Sequence, residues 1–253
     1  MIKGSPKIAT LVFGVLATLA SVVIIGSFIG AVSWINKPFA GFLLYDFPQV
    51  GSMSLNDWPG PKAGIKFLER IEFVDGQPIK NGRDLVKAIE KKVPGSVVTY
   101  TVSSRESQQE YTLQVTNFSL REFVLVFFLT FLGGLIIFCL GCIVYVLKPN
   151  VTNSWVFFLF GFFLSTYMVS SFEIQSTYYL VNFHYFALCL MPAVMVHLCL
   201  VFPEKKRIVK NFPLLEYLIY LPAVTIAIGY QIYLLNFDKV LDGSLIWWIP
   251  SYT

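Results

Sequence analysis

The chain has 253 residues, of which 56% are hydrophobic and 13% are charged, and its formal net charge is +4. Soluble domains carry about 25% charged residues, so this composition argues against an ordinary soluble protein. A small net charge in so apolar a chain also argues against a nucleic-acid partner, which calls for a strongly basic face.

Five long stretches of the sequence contain no Asp, Glu, Lys or Arg. A bilayer core of about 30 Å is crossed by about 20 apolar helical residues, and each stretch is long enough to supply them. One charge at the centre of such a helix costs roughly 2.5–3.5 kcal/mol on insertion scales. The sequence therefore predicts a polytopic α-helical membrane protein with about five spans, embedded in a lipid bilayer. The stretches are residues 8–36, 123–147, 149–172, 174–203 and 217–237.

Basic residues predict which ends of the spans face the cytoplasm. Lys3 and Lys7 precede the first stretch, Lys148 follows the second, and residues 205–210 after the fourth hold four Lys or Arg. Short cytoplasmic loops are enriched in Lys and Arg. We therefore expect the N-terminus inside the cell and the segment between the first two spans outside the cytoplasm.

The first span is predicted at residues 8–33, within an N-terminal unit of residues 1–35. The apolar region of a signal peptide runs about 7–15 residues, which is much shorter, so we interpret this stretch as a retained anchor helix. Gly26 and Gly30 are four residues apart, a spacing that lets two helices approach closely. A homodimer that packs through this face of the first span is therefore one alternative.

A compact, charge-rich segment, here called the insert (residues 36–120), separates the first two spans. Apolar residues within 85–89 predict one face of an amphipathic helix. Asp75-Gly76 predicts a tight turn between strands, because this pair suits turn geometry. The sequence thus predicts a small α+β domain. Its predicted elements are strands at 42–47, 49–53, 67–74, 97–102 and 111–115, a helix at 83–92 and a loop rich in Pro and Gly at 56–61.

The remaining residues, 121–253, are predicted to form a bundle of four transmembrane helices with an outer tail. These spans are expected at 123–146, 155–170, 178–202 and 214–235. Residues 246–250 (IWWIP) are similar to the interfacial start of a further span. We therefore expect the N-terminal part of a longer protein, with a naturally short protein as the alternative. The cysteines are Cys139, Cys142, Cys189 and Cys199, all inside these spans, where we expect packed thiols rather than disulfides.

Two motifs in the insert resemble the middle of a bacterial PDZ domain. They are PKAGI at residues 61–65 and VDGQPI at residues 74–79. The resemblance covers residues 63–115 and implies a PDZ-like fold. It departs from the family at Phe67-Leu68-Glu69, which stands where the family has Pro-Gly-Asp. The residues that carry the motif are Ala63, Gly64, Ile65, Val74, Asp75, Gly76, Gln77, Pro78 and Ile79.

The PDZ resemblance also implies a peptide-binding strand. PDZ domains bind by adding a peptide strand to an open sheet edge. By position in the family that strand is Gly41, Phe42, Leu43 and Leu44, although this section matches the family pattern poorly. The implied partner is a peptide or a protein tail. The alternative is a folded spacer that stacks on the helical bundle.

The order of the segments is similar to a known input module. An anchor helix, an outer PDZ-like domain and a helical bundle with FPEKKR at residues 202–207 resemble the membrane half of bacterial sensor histidine kinases of the competence quorum-sensing type. This resemblance implies a bacterial cytoplasmic membrane, signal reception by the membrane half and phosphorylation by a cytoplasmic half. The sequence holds no phosphoacceptor histidine in a helical hairpin and no glycine-rich nucleotide loop. Whether the whole protein is an enzyme therefore stays open.

The histidines do not form a catalytic or metal-binding pattern. His184 and His197 are 13 positions apart, about 220° around an ideal helix, so they do not share a face. The sequence contains neither His-Glu-x-x-His nor Gly-x-Ser-x-Gly. We predict no catalytic residue, no metal site and no cofactor, and we expect each histidine to be packed and hydrogen-bonded.

Three functions stay open, in order of preference. The first is a signal-receptor module, in which a ligand such as a peptide binds the insert or the outer mouth of the bundle and shifts helix packing. The second is a membrane scaffold that recruits protein tails through the PDZ-like domain. The third is a transporter or membrane enzyme, which no motif supports.

Overall fold

A computed structural model describes residues 6–104, 107–149 and 151–235 of the chain. Lys3 and the predicted further span at residues 246–250 lie outside the described residues. The helices are α1 (Pro6–Val32), α2 (Pro59–Ala63), α3 (Gly82–Glu90), α4 (Leu120–Glu122), α5 (Leu129–Leu147), α6 (Thr152–Ser170), α7 (Val181–Val201), α8 (Arg207–Asn211), α9 (Leu215–Leu218) and α10 (Tyr220–Leu235), with a π-helix at Phe123–Phe128 and a 3-10 helix at Glu173–Gln175.

Within these described ranges, five helical segments are long and apolar enough to cross a membrane. This confirms the helices predicted from the uncharged stretches. The outward faces of these helices are apolar, with side chains such as Leu11, Ile136 and Leu221 half or more exposed. Such faces suit a lipid environment. The segments are Lys7–Val32, Leu120–Leu147, Thr152–Gln175, Val181–Val201 and Leu215–Leu234.

Helix α6 lies at the centre of the bundle and packs against α1, α5 and α7. Two glycines let α5 and α6 approach closely. A Cβ atom added at Gly161 would lie 3.1 Å from the carbonyl oxygen of Ile137, and one added at Gly141 would lie 3.4 Å from Cα of Phe158. Small residues at helix contacts are the usual means of close packing in membranes.

The insert contains two sheets. Their strands are β1 (Pro38–Phe39), β2 (Arg70–Val74), β3 (Gln77–Pro78), β4 (Val97–Ser103), β5 (Gln108–Gln114) and β6 (Thr116–Asn117). One sheet has the strand order β3-β2-β4-β5, with antiparallel pairing throughout. The other pairs β1 with β6 where the chain enters and leaves the insert, which closes the domain next to the helices.

The first half of the insert differs from the prediction. Residues 42–53 are not two strands; they form only the isolated bridges Leu44–Val50 and Gln49–Arg70. Pro48 lies within this segment and has no N–H to give to a ladder. The segment predicted as a loop at 56–61 is helical from Pro59, where α2 begins. Proline suits the first turn of a helix. Strand β2 begins at Arg70 rather than at residue 67.

The predicted Asp75-Gly76 turn is confirmed. Val74 pairs with Gln77, and both turn residues have positive φ, 48° for Asp75 and 75° for Gly76. The Asp75 carboxylate accepts hydrogen bonds from Lys92 Nζ at 2.6 Å and from the Thr99 backbone N–H at 2.9 Å. These bonds, that from Lys92 first, lower the pKa of Asp75.

Asp75 gives a prediction about acid stability. Because its pKa is lower in the folded insert, its contribution to stability is present above about pH 4 and is lost as the pH falls further. Asp75→Asn should therefore reduce resistance of the insert to urea at about pH 7 and have less effect at about pH 3. Both partners are 36% exposed, so solvent screening keeps the effect small. An equal loss at both pH values, relative to a Glu110→Gln control, would contradict this.

Candidate functional site

The candidate site is a cleft in the insert between residues 39–44 and helix α3. Gly41, Phe42, Leu43 and Leu44, the residues implied for peptide binding, are all buried, the last three at 2% exposure or less. The cleft has a free volume of about 20 Å³, which is room for about one water molecule. It is lined by Leu85, Val86 and Ile89 of α3, by Trp34, and by Gln175 and Tyr178 from the bundle.

The part of the bundle that enters the cleft is residues 171–180, here called the connector, which joins α6 to α7. Tyr178 of the connector donates a hydrogen bond from its hydroxyl to the carbonyl oxygen of Leu44 at 3.0 Å. Leu44 and Val50 form an antiparallel bridge in which the neighbouring residues make the hydrogen bonds. The Tyr45 N–H donates to the Gln49 carbonyl oxygen, and the Gly51 N–H donates to the Leu43 carbonyl oxygen. In that pattern the N–H and C=O of Leu44 itself point away from Val50. The Tyr178 hydroxyl therefore occupies an acceptor on the edge where an added strand would pair.

A glycine makes room for the Tyr178 hydroxyl. A Cβ atom added at Gly82, the first residue of α3, would lie 2.2 Å from that hydroxyl oxygen and 2.4 Å from the carbonyl oxygen of Tyr45. Burial raises the pKa of Tyr178, and the nearby Asp46 carboxylate adds to this. The hydroxyl thus keeps its proton and remains a donor to Leu44.

Arg83 holds the backbone of the connector. Its Nη2 donates to the carbonyl oxygen of Tyr178 at 3.1 Å, and its guanidinium carbon lies 5.8 Å from the centre of the Tyr178 ring. Arg83 Nε lies 3.3 Å from an Asp46 carboxylate oxygen. One side chain therefore joins the start of α3, residue 46 of the insert and the connector.

Gln175 makes a third polar contact between connector and insert, after those of Tyr178 and Arg83. Its side-chain oxygen accepts a hydrogen bond from the Met53 backbone N–H at 3.1 Å. A Cβ atom added at Gly51 would lie 1.8 Å from the same oxygen. Gln175 is 2% exposed, so this amide is buried in the contact.

Glu173 joins the connector to the anchor helix α1 instead. Its carboxylate lies against Gly30 of α1, where an added Cβ atom would be 2.1 Å from Oε1. Thr177 donates to Oε2, whereas Oε1 is buried with no hydrogen-bond partner. A buried carboxylate oxygen without a partner is costly, particularly in a membrane segment. The connector thus touches α1 as well as the insert.

Aromatic rings surround these polar contacts and join the same elements. Trp34 at the end of α1 lies edge-on to Phe118 and to Phe172, with ring centres 5.8 Å apart in each case. Phe39 of β1 contacts Phe118 at 5.5 Å. Edge-to-face aromatic pairs at such distances are favourable beyond their buried area. The anchor, the insert and the connector therefore share one apolar core.

The nine residues of the PDZ-like motif do not line the cleft. Ile65, Val74 and Ile79 belong to the core of the insert, whereas Asp75 and Gly76 form the β2–β3 turn. The motif residues therefore build the domain, and the connector contacts come from other residues. Sequence reasoning missed Gln175 and Glu173 as contacts and assigned Tyr178 to a span. The only signal was a cluster of polar side chains within residues 171–179, between two apolar stretches.

The two histidines lie in separate hydrogen-bonded positions. His184 Nδ1 is 3.0 Å from Ser170 Oγ, and His197 Nδ1 is 2.8 Å from the Tyr220 hydroxyl. Glu216 approaches His197 at 3.6 Å. Among the residues the structure describes, no three His, Cys, Asp or Glu side chains come together to hold a metal ion.

No protein-family model and no curated protein matches the sequence. Solved structures match part of it. An aminopeptidase N family protein from Idiomarina loihiensis is 19% identical with a TM-score of 0.29, over 32% of this chain and 14% of that chain. The HtrA-type protease AlgW with a decapeptide is 16% identical with a TM-score of 0.29, over 32% of this chain and 30% of that chain. The likeness thus spans less than a third of either protein's length, and at such TM-scores it identifies neither fold nor activity.

Proposed function

We propose that the chain is a membrane signal-receptor module, the input part of a sensor histidine kinase or a similar transducer. In this proposal the five helices cross a bacterial cytoplasmic membrane, the N-terminus lies inside and the insert lies outside. This orientation is supported by the basic residues Lys7 and Lys148 and the basic segment 205–210, because short cytoplasmic loops are enriched in Lys and Arg.

The observation that carries the proposal is the hydrogen bond from Tyr178 to Leu44. It joins the segment implied for ligand binding to the connector, which continues directly into α6 and α7. A ligand that binds better when this contact is open would shift the population towards the open state. Movement of the connector would then change the relative positions of two spans.

The insert is proposed to be PDZ-like, with α3 beside residues 39–44 in the arrangement of a PDZ groove. A peptide that added to this edge would need the Leu44 carbonyl group that Tyr178 now holds. Peptide and connector would therefore compete for one acceptor. Such competition is a means of converting binding into a change in the bundle.

The scaffold hypothesis is less well supported. A scaffold that captures protein tails requires a groove that is open to them, whereas this cleft has only about 20 Å³ of free volume. A receptor has a use for a closed groove, since a closed and an open state are the two states that signalling requires. No observation on the described residues favours a transporter or a membrane enzyme.

The test is a fusion of the whole chain to a kinase reporter in cells. Tyr178→Phe removes only the hydroxyl group, so it should change the basal output by favouring the open cleft. Tyr179→Phe is the matched control, because Tyr179 is the next residue and is 82% exposed. Deletion of residues 36–118 should abolish any response to ligand. An output indifferent to both Tyr178→Phe and the deletion would refute the receptor function.

A further inference from the structure

The loop of residues 66–69 carries two apolar side chains, between Lys66 and Glu69, at the surface of the insert. Phe67 is 55% exposed and Leu68 is 51% exposed. Leu68 also has a φ of +68°, a left-handed conformation that favours glycine and is disfavoured for leucine. The Leu68 N–H donates to the Val50 carbonyl oxygen at 3.0 Å, which holds the loop in this conformation. The fold therefore keeps an exposed leucine where glycine would be less strained.

This loop is also where the chain departs from the PDZ pattern, which has Pro-Gly-Asp at this point. A half-exposed leucine in a conformation that favours glycine is a local conflict, and such conflicts cluster at functional positions. The conflict is explained if the two apolar side chains contact something outside the insert.

The position of the loop indicates what it contacts. The Phe67 ring lies 6.5 Å from the ring of Tyr45. Tyr45 packs on a buried cluster that also receives Tyr185 of α7 and Leu234 near the end of α10. Phe67 thus contacts a residue that shares one buried cluster with the ends of two helices of membrane-spanning length. If those helices cross a bilayer, the loop lies at the level of its surface.

The charges beside the loop fit the same surface. Three exposed basic residues, Lys62, Lys66 and Arg70, flank the two apolar residues, against one acidic residue, Glu69, whose carboxylate accepts a hydrogen bond from the Lys66 N–H. Apolar side chains bordered by Lys and Arg are the composition of segments that lie in the headgroup region of a membrane. A lipid contact requires the loop to lie at the same height as the ends of the spanning helices, whereas a protein partner would not. The position of the loop therefore favours lipid.

We propose that residues 66–69 insert Phe67 and Leu68 into the headgroup region of the bilayer that the helices cross. The insert is then held by three attachments: its two covalent connections to spans, its contacts with the connector, and this lipid contact. The proposal rests on the helices crossing a membrane, but not on which side the insert faces or on any signal.

The test places a reporter at the loop tip of the whole chain in liposomes. The four native cysteines are replaced by serine, and an environment-sensitive fluorophore is attached to Phe67→Cys. Its emission should be shifted to the blue and quenched by lipids that carry a nitroxide near the headgroup. Gln77→Cys is the control, since Gln77 is an exposed polar residue on β3. A label at residue 67 that is quenched no more than the label at residue 77 would overturn the proposal.

Two substitutions at residue 68 separate lipid contact from folding. Leu68→Gly and Leu68→Ala should both lower the lipid quenching of a label at residue 67. In detergent, Leu68→Gly should slow amide exchange in β2 by roughly fivefold, because the left-handed conformation suits glycine, and Leu68→Ala should not. Unchanged quenching in both variants would refute the lipid contact. A label protected from aqueous iodide but not quenched by the lipid probes would show that residue 67 packs against protein, in the same chain or in a second copy, and would also refute the lipid contact.

Discussion

Replacement of Tyr178 by alanine should destabilise the contact between insert and bundle by about 3–5 kcal/mol, the usual loss for a large buried aromatic side chain. Tyr178 is 3% exposed, its ring packs with Ile174 and Val181, and its hydroxyl bonds to Leu44. The measurement is urea unfolding of the purified chain in detergent, monitored by the rate at which protease cleaves the insert.

Two comparisons make the Tyr178 prediction specific. Tyr179→Ala alters the exposed neighbour and should change stability by no more than about 0.5 kcal/mol. Tyr178→Phe keeps the ring but leaves the buried Leu44 carbonyl group without its donor, so it should cost about 1–3 kcal/mol. If the alanine variants at 178 and 179 behaved alike, the connector would not hold the insert.

Gly30→Ala should loosen the anchor helix from the connector. The added methyl group would lie 2.1 Å from Glu173 Oε1, so the carboxylate or the helix must move. Overpacking of this kind costs about 1–3 kcal/mol. Gly26→Ala, one turn earlier in α1, has no atom within 4 Å of the added group and should be neutral or stabilising by up to about 1 kcal/mol. Thermal unfolding in detergent compares the two.

A double variant tests whether Glu173 is the cause. Glu173→Ala removes the carboxylate, so Gly30→Ala should cost little when the two are combined. The interaction energy of such a cycle should lie within about 0.5–3 kcal/mol, as for residues in direct contact. Additive effects, or an equal loss from Gly26→Ala, would show that Gly30 matters for some other reason.

The sequence predicted the parts of the fold that depend on local pattern. The absence of charged residues can be read from each stretch by itself, so the five long helices could be predicted from it. Strand β4 was found because its apolar residues alternate, and the Asp75-Gly76 turn because a two-residue hairpin loop needs backbone freedom at that place. These features depend on neighbouring residues alone.

The contacts of the connector could not be predicted in this way. Gly82 and Gly51 look like any other glycines in the sequence, because the atoms that would meet a Cβ there belong to Tyr178 and Gln175, far along the chain. The positive φ of Leu68 runs against the preference of leucine, so no rule of residue type predicts it. The hydrogen bond that occupies the Leu44 carbonyl oxygen likewise comes from Tyr178, more than a hundred positions away.

Three polar side chains of the connector, Glu173, Gln175 and Tyr178, each fit against a glycine in a different part of the chain. These glycines are Gly30 of α1, Gly51 of the insert and Gly82 at the start of α3. Lengthening the connector by one residue would put all three out of register at once. Exchanging the insert alone for that of a homologue would meet the same obstacle, since a foreign domain would bring side chains to the positions of Gly51 and Gly82. Chimeras of this protein should therefore exchange residues 1–180 as a block.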